Sequence, residues 1–168
     1  PEDRHAEGLI GNMSVAENVI SEKLRTAAFS KRGLIDWAKA RSFAQSIISA
    51  YDVKCPSPDA PVRLLSGGNM QKLILGRVMD GAPAIVLANQ PSRGLDVGAV
   101  NYVHEQLLKA RGRGAAILLI SEDLDELLAL SDRVAVIHQG RLSRALPRAD
   151  VTIKALGLMM AGETSHAA

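Results

Sequence analysis

Hydrophobic positions along the chain change their spacing near residue 84. Before it they recur at helical intervals. Leu34, Ile35, Ala38, Phe43, Ile47 and Ile48 approximate one face between residues 33 and 50 and predict an amphipathic helix. Ser14 followed by Glu17 has the spacing of a capping box and predicts a short helix through about Ser21. Pro56, Pro58 and Pro61 break the pattern into a loop. From Ser66 a helix carrying Leu73, Ile74, Arg77 and Val78 runs to about Asp80, where Gly81 and Pro83 end it. Beyond this point the apolar residues come in short continuous runs, at 84–88, 115–120 and 133–138, as expected of strands buried on both faces. Helical patterns at 98–109 and 122–130 separate them, and this alternation predicts an α/β fold with a parallel sheet and covering helices. Gln139-Gly140 would turn the third strand back along 141–146 as a terminal hairpin. A last helix at 151–160 would precede a small polar tail, 162–168, expected to be disordered.

Composition narrows the class. Aromatic residues make up only 3% of 168, so a core must be built from Leu, Ile, Val, Ala and Met. A net charge of +2 is too mild to argue for a nucleic-acid partner or an anionic membrane surface. The single Cys55 excludes an intramolecular disulfide and suits a reducing compartment. No apolar run approaches the length of a helical membrane span. The opening PEDRHAEG lacks the pattern of a signal peptide and reads as a chain that starts mid-pattern. His5, His104, His138 and His166 are scattered without metal-ligand spacing, and Trp37 and Phe43 read as packing residues.

Two segments carry candidate chemistry. LSGGNMQK, residues 65–72, places Ser66, Gly67 and Gly68 at a helix start. First-turn amides lack intrahelical acceptors and sit at the positive end of the helix dipole, and glycines let that backbone approach an anion closely. The purely structural reading is a serine-capped helix with a flexible beginning. AIVLANQPSRGLD, residues 84–96, is a buried strand ending in Asn89 and Gln90, then a turn and Asp96. Asp96 would equally serve as the cap of the next helix. No G-x-x-x-x-G-K-[ST] phosphate loop occurs in the sequence.

In order and spacing these segments resemble the ATP-binding cassette (ABC) transporter ATPases. There the first segment is the signature motif and the second is Walker B running into the D-loop. The PEDR opening, SVAEN, LSGGN-x-QK, P-[ST]-RGLDVGA and SEDLDE…LSDR…GR together look like the carboxy-terminal ATPase half of tandem importers for simple sugars and nucleosides. The resemblance covers nearly the whole chain. It implies part of a P-loop NTPase fold, with residues 1–80 as the helical subdomain, 84–146 as the later part of the RecA-like core, and 147–168 as a terminal helix and tail.

The resemblance also assigns residues. Ser66, Gly67, Gly68 and Gln71 would meet ATP held by an opposing half, and Asp96 would bridge the halves. Asn89 and Gln90 stand where the family carries an aspartate and a glutamate. A neutral amide is a weak magnesium ligand and no general base near neutral pH, so both functions are expected to be impaired. Glu122 takes the place of the switch histidine. A carboxylate about 5 Å from a phosphate charge would be repelled by roughly 3 kcal/mol at an effective dielectric near 20. Its structural reading puts Ser121 as a cap with Glu122 and Asp123 in the first turn. Glu2 falls near the Q-loop, where the family carries glutamine. The complete protein would use ATP and magnesium. Its partners would be the other nucleotide-binding half, transmembrane permease subunits and, indirectly, a substrate-binding protein, at the cytoplasmic face of the membrane. Two alternatives remain open at this point: a soluble non-transport ABC ATPase, and a non-catalytic interaction module.

Overall fold

In the computed structural model, which describes residues 4–162, the capping box at Ser14 and Glu17 is formed. The Ser14 amide donates to Glu17 Oε2 at 2.7 Å, the Glu17 amide donates to Ser14 Oγ at 3.2 Å, and α1 (Val15–Ile20) follows. Asn18 on α1 is 1% exposed, and burial of an amide requires that its hydrogen bonds be made inside. Its Oδ1 accepts from the Ile10 amide at 2.8 Å, and its Nδ2 donates to the carbonyls of Ile10, Met13 and Ser14 at 3.1, 3.3 and 3.0 Å. The side chain thereby fixes the loop that leads into α1.

The helical pattern at 33–50 begins later than expected. Ser30–Lys31 (β1) and Leu34–Ile35 (β2) pair as an antiparallel hairpin, and α2 spans Trp37–Ala50 under an Asp36 cap. Arg32 and Gly33 both have positive φ, 52° and 80°, which is the backbone of a two-residue hairpin turn. That turn takes Leu34 and Ile35 out of the helix. α3 (Gly67–Met79) then packs with α1 and α2 around Val15, Val19, Ala44, Ile47, Leu73 and Ile74. Arg77 of α3 donates to the carbonyls of Gly8 at 2.8 Å and Asn18 at 3.3 Å, and its Nε lies 3.2 Å from Glu22 Oε1.

β3 (Ile85–Asn89), α4 (Val97–Gly112) and β4 (Ala116–Ile120) follow, with β3 and β4 as neighbouring strands. The Ala116 amide donates to the Ala84 carbonyl at 2.9 Å. The expectation that β3 is buried on both faces fails. Val86 and Ala88 are buried, whereas Ile85 and Leu87 are 69% and 71% exposed. A continuous apolar run reports that both faces are apolar, not that both are covered.

The chain divides into two compact units, one ending at Leu118 and the other beginning at Leu119. The second unit holds α5 (Leu124–Leu130), β5 (Arg133–Val134), β6 (Ile137–His138), β7 (Arg141–Leu142), β8 (Leu146–Pro147) and α6 (Ile153–Met160). Gln139 and Gly140, at φ 46° and 75°, make the predicted turn between β6 and β7. The run at 133–138 is not one strand of a parallel sheet. It is interrupted, and its two pieces pair antiparallel with β8 and β7 around a core of Val134, Val136, Val151 and Leu156. The two-residue turn dictates the pairing of β6 with β7, because it can join only antiparallel partners. Among the described residues no helix is long and apolar enough to cross a membrane. Glu2, His166 and the tail from residue 163 lie outside the described residues.

Two glycine substitutions should move stability in opposite directions. A β-carbon at Gly76 would lie 2.5 Å from Ile47 Cγ2 and 3.0 Å from Tyr51 Cδ2, whereas one at Gly112 would meet nothing within 4 Å. Gly76→Ala gains helix propensity but overpacks, and should lose roughly 1–2 kcal/mol net. Gly112→Ala should be neutral or stabilising by up to about 1 kcal/mol. Chemical denaturation of the two variants checks this, and the reverse ranking would refute the packing.

Candidate functional site

The start of α3 is built around a serine whose hydroxyl is oriented from behind. Ser66 is extended, with φ −66° and ψ 158°, and caps the helix. Its Oγ accepts the Asn69 amide only at 3.4 Å, but accepts Asn69 Nδ2 at 2.9 Å. Asn69 Oδ1 in turn accepts the Lys54 amide at 2.8 Å, which fixes which end of the Asn69 side chain faces Ser66. The lone pairs of Ser66 are therefore turned toward the protein, leaving the hydroxyl proton for an outside acceptor. Ser66 is exposed, and Gly67 and Gly68 beside it are half-buried. The first-turn amides of these glycines have no intrahelical acceptor.

The start of α4 sits against this surface. Asp96 caps α4, with Oδ1 accepting the Ala99 amide at 2.9 Å. A β-carbon on Gly68 would lie 3.2 Å from Ala99 Cβ and 3.9 Å from Asp96 Oδ2. Gly68 thus marks a tight approach: a β-carbon there would ask the start of α4 to give by only a few tenths of an ångström. Two positive helix ends and one carboxylate are brought together at one place. Gln71, grouped with Ser66, Gly67 and Gly68 by the sequence reading, is 6% exposed and faces the interior of its unit.

β3 delivers Asn89 as its last residue. Gln90 follows with φ 47°, a left-handed backbone uncommon outside glycine, asparagine and aspartate. Two turns lead from there to Asp96, with the Arg93 amide donating to the Gln90 carbonyl and the Leu95 amide to the Ser92 carbonyl, both at 3.2 Å. Both positions at the strand exit are neutral amides, a poor fit to a magnesium ion, which prefers charged oxygens. Among the described residues no group of three or more His, Cys, Asp or Glu side chains converges as a metal site would require.

In the second unit the expected cap is corrected. Asp123, not Ser121, caps α5: its Oδ1 accepts the amides of Asp125 at 2.9 Å and Glu126 at 3.1 Å. Ser121 Oγ accepts the Asp123 amide at 3.0 Å. Glu122 therefore lies ahead of the helix, and the acids of its first turn are Asp125 and Glu126. The Asp123 carboxylate takes two orphan amides, which the Ser121 hydroxyl does not.

The sequence reading missed Asn69 and Tyr102. For Asn69 a signal existed, since an amide three residues after a serine cap is a variant of the capping-box spacing. Tyr102, on α4, had none, because its partners come from distant segments. Its hydroxyl donates to the Tyr51 carbonyl at 3.1 Å, and burial pushes its pKa up to about 12.

No protein-family model matches the chain. Among solved structures, MJ1267, an ATP-binding cassette of an ABC transporter, aligns over 96% of this chain and 66% of its own, with a TM-score of 0.71 at 19% identity. The dimeric post-hydrolysis MJ0796 cassette bound to ADP and Pi aligns over 83% and 59%, with a TM-score of 0.64 at 22% identity. The fold is that of an ATP-binding cassette.

Among curated proteins, the guanosine import ATP-binding protein NupO of Bacillus subtilis is 41% identical over the full chain, and the nucleoside import ATP-binding protein NupA of Lactococcus lactis is 42% identical over 96% of it. The ribose import ATP-binding protein RbsA of Geobacillus kaustophilus is 41% identical over 86%. The chain belongs to the ABC-transporter ATP-binding proteins, and it spans about a third of the length of these relatives.

The two caps should differ in their contribution to stability. Asp96→Ala should cost about 1 kcal/mol, and Ser66→Ala only a few tenths because its capping bond is long. Asp96→Asn, which keeps the acceptor, should be near neutral. Equal losses for the two alanine variants in thermal or denaturant unfolding would contradict the assignment of Ser66 as a weak cap.

Proposed function

We propose that this chain is the part of an importer's ATP-binding protein that lends its signature surface and D-loop to ATP held by another nucleotide-binding half. Residues 1–80 act as the helical subdomain, 84–146 as the later part of the ATPase core, and 147–168 as a terminal helix and tail. The observation that carries the reading is the meeting of two helix starts. Gly68 approaches Ala99 so closely that Ser66, Gly67 and Gly68 share one surface with Asp96. A γ-phosphate at that surface would accept from the Ser66 hydroxyl and the first-turn amides, while Asp96 reaches toward the other half. Gln71, being buried, supports that backbone from behind.

The positions this half would use on its own nucleotide are neutral or of the wrong sign. Asn89 and Gln90 supply neither a magnesium ligand of full charge nor a general base, and Glu122 adds negative charge where a phosphate would sit. The reading is therefore an asymmetric ATPase, with one productive composite site and one degenerate site, and with this chain inactive in isolation. The names of the relatives support simple sugars or nucleosides as cargo. Permease subunits, a substrate-binding protein and the cytoplasmic face of the membrane follow as partners and place, and ATP with magnesium as the cofactor of the complete protein. The apolar outer face of β3, at Ile85 and Leu87, supports the further elements of the cassette as its cover.

In the complete ATP-binding protein, Ser66→Tyr should reduce ATP turnover by roughly a hundredfold or more while leaving Mg-ATP binding intact. Asn89→Asp with Gln90→Glu should change turnover by less than about threefold. A large rise on restoring the acids would sink the asymmetric site, and unchanged turnover in Ser66→Tyr would sink the phosphate contact.

A further inference from the structure

The contact between Gly68 and Ala99 does not stand alone. Four residues along α3 from Gly68 lies Lys72, and three along α4 from Ala99 lies Tyr102, each on the same helix face as the glycine or alanine before it. These two side chains meet: Lys72 Nζ lies 4.8 Å from the centroid of the Tyr102 ring. Lys72 Nζ also donates to the Asp52 carbonyl at 3.0 Å and to Asp52 Oδ2 at 3.2 Å. Tyr102 reaches the same turn, through its bond to the Tyr51 carbonyl at 3.1 Å. Tyr51 ends α2, and Asp52 follows with φ 48°, so its carbonyl and carboxylate both point at Lys72. Lys54 Nζ donates to the other carboxylate oxygen at 2.6 Å, and Lys54 gives its own amide to Asn69, the residue that orients Ser66.

The geometry points to a latch. Lys72, Tyr102 and Asp52 are positioning residues that set how α4 lies on α3, and so keep the starts of the two helices together as one phosphate-facing surface. This rests on the functional reading above. The turn at residues 51–54 is the fixed point: it holds α4 through Tyr102, α3 through Lys72, and the Ser66 hydroxyl through Lys54 and Asn69. Hydrogen bonds from Lys54 and Lys72 hold the Asp52 carboxyl below the usual aspartate range, so it stays charged wherever the lysines are. The Tyr102 hydroxyl, with its pKa raised by burial, remains a donor at any working pH. Lys72 suits the centre of such a device because a cation can lie over a ring face while donating to two oxygens.

A disulfide reporter tests the latch without reference to nucleotide. In a Cys55→Ser background, Gly68→Cys and Ala99→Cys would place two β-carbons close to disulfide separation. Adding Lys72→Met or Tyr102→Phe should slow cross-linking by roughly fivefold, and Lys72→Arg should restore it. Circular dichroism confirms that each variant is folded, and the partly exposed Lys72 keeps the test available if Tyr102→Phe does not fold. In the complete ATP-binding protein with its natural Gly68 and Ala99, Lys72→Met should lower kcat roughly fivefold with KM for Mg-ATP unchanged, again rescued by Lys72→Arg. Unaltered cross-linking in folded Lys72→Met overturns the latch. Slowed cross-linking with unaltered kcat overturns its positioning role, whereas the phosphate reading falls only if Ser66→Tyr leaves turnover unchanged.

Discussion

At Gly68 the start of α3 packs directly against the Ala99 methyl group at the start of α4. A β-carbon there would be 3.2 Å from that of Ala99, and no rotamer change relieves a clash between two β-carbons. The rest of the site depends on this approach. Because α3 and α4 begin at the same place, their positive ends add, and Ser66 and Asp96 become parts of one surface instead of two unrelated caps. A fold that merely buried its apolar faces would not need it.

Polar groups hold the surrounding elements in register. Asn18, fully buried and fully hydrogen-bonded, ties α1 to the loop before it, and Arg77 ties α3 to both. Such satisfied networks cost little while complete and much when broken, so they specify a single arrangement of helices more sharply than an aliphatic core does. Midway along the same helix, Lys72 does the equivalent for α4 through the ring of Tyr102. The amides at Asn89 and Gln90 are consistent with a half that serves as the rigid partner of a reaction centred elsewhere.

How far the sequence could be read followed the range of the interactions. Caps three residues from their partners, at Ser14, Ser66 and Asp96, were legible because the physics is local. So was the hairpin at Gln139-Gly140. The β1–β2 turn was hidden because Leu34 and Ile35 fit a helical period equally well, and only the backbone at Arg32 and Gly33 decides against it. The exposed face of β3 was illegible for another reason: apolar character is a property of the sequence, but cover depends on what lies above. At α5 two acceptable caps competed, and the choice of Asp123 over Ser121 rested on a second amide that spacing alone does not count. The partnership of Lys72 with Tyr102 joins residues 30 apart and needed the fold itself.

The phosphate site we propose is half of a site, complete only when another half presents the nucleotide. Titration of Mg-ATP into the purified chain, followed by calorimetry and by the amide resonances of Gly67 and Gly68, tests this directly. A half-site should give no saturable heat at micromolar nucleotide, with weak shifts confined to the starts of α3 and α4 at much higher concentration. Saturable micromolar binding, or shifts centred on Asn89 and Gln90, would contradict it.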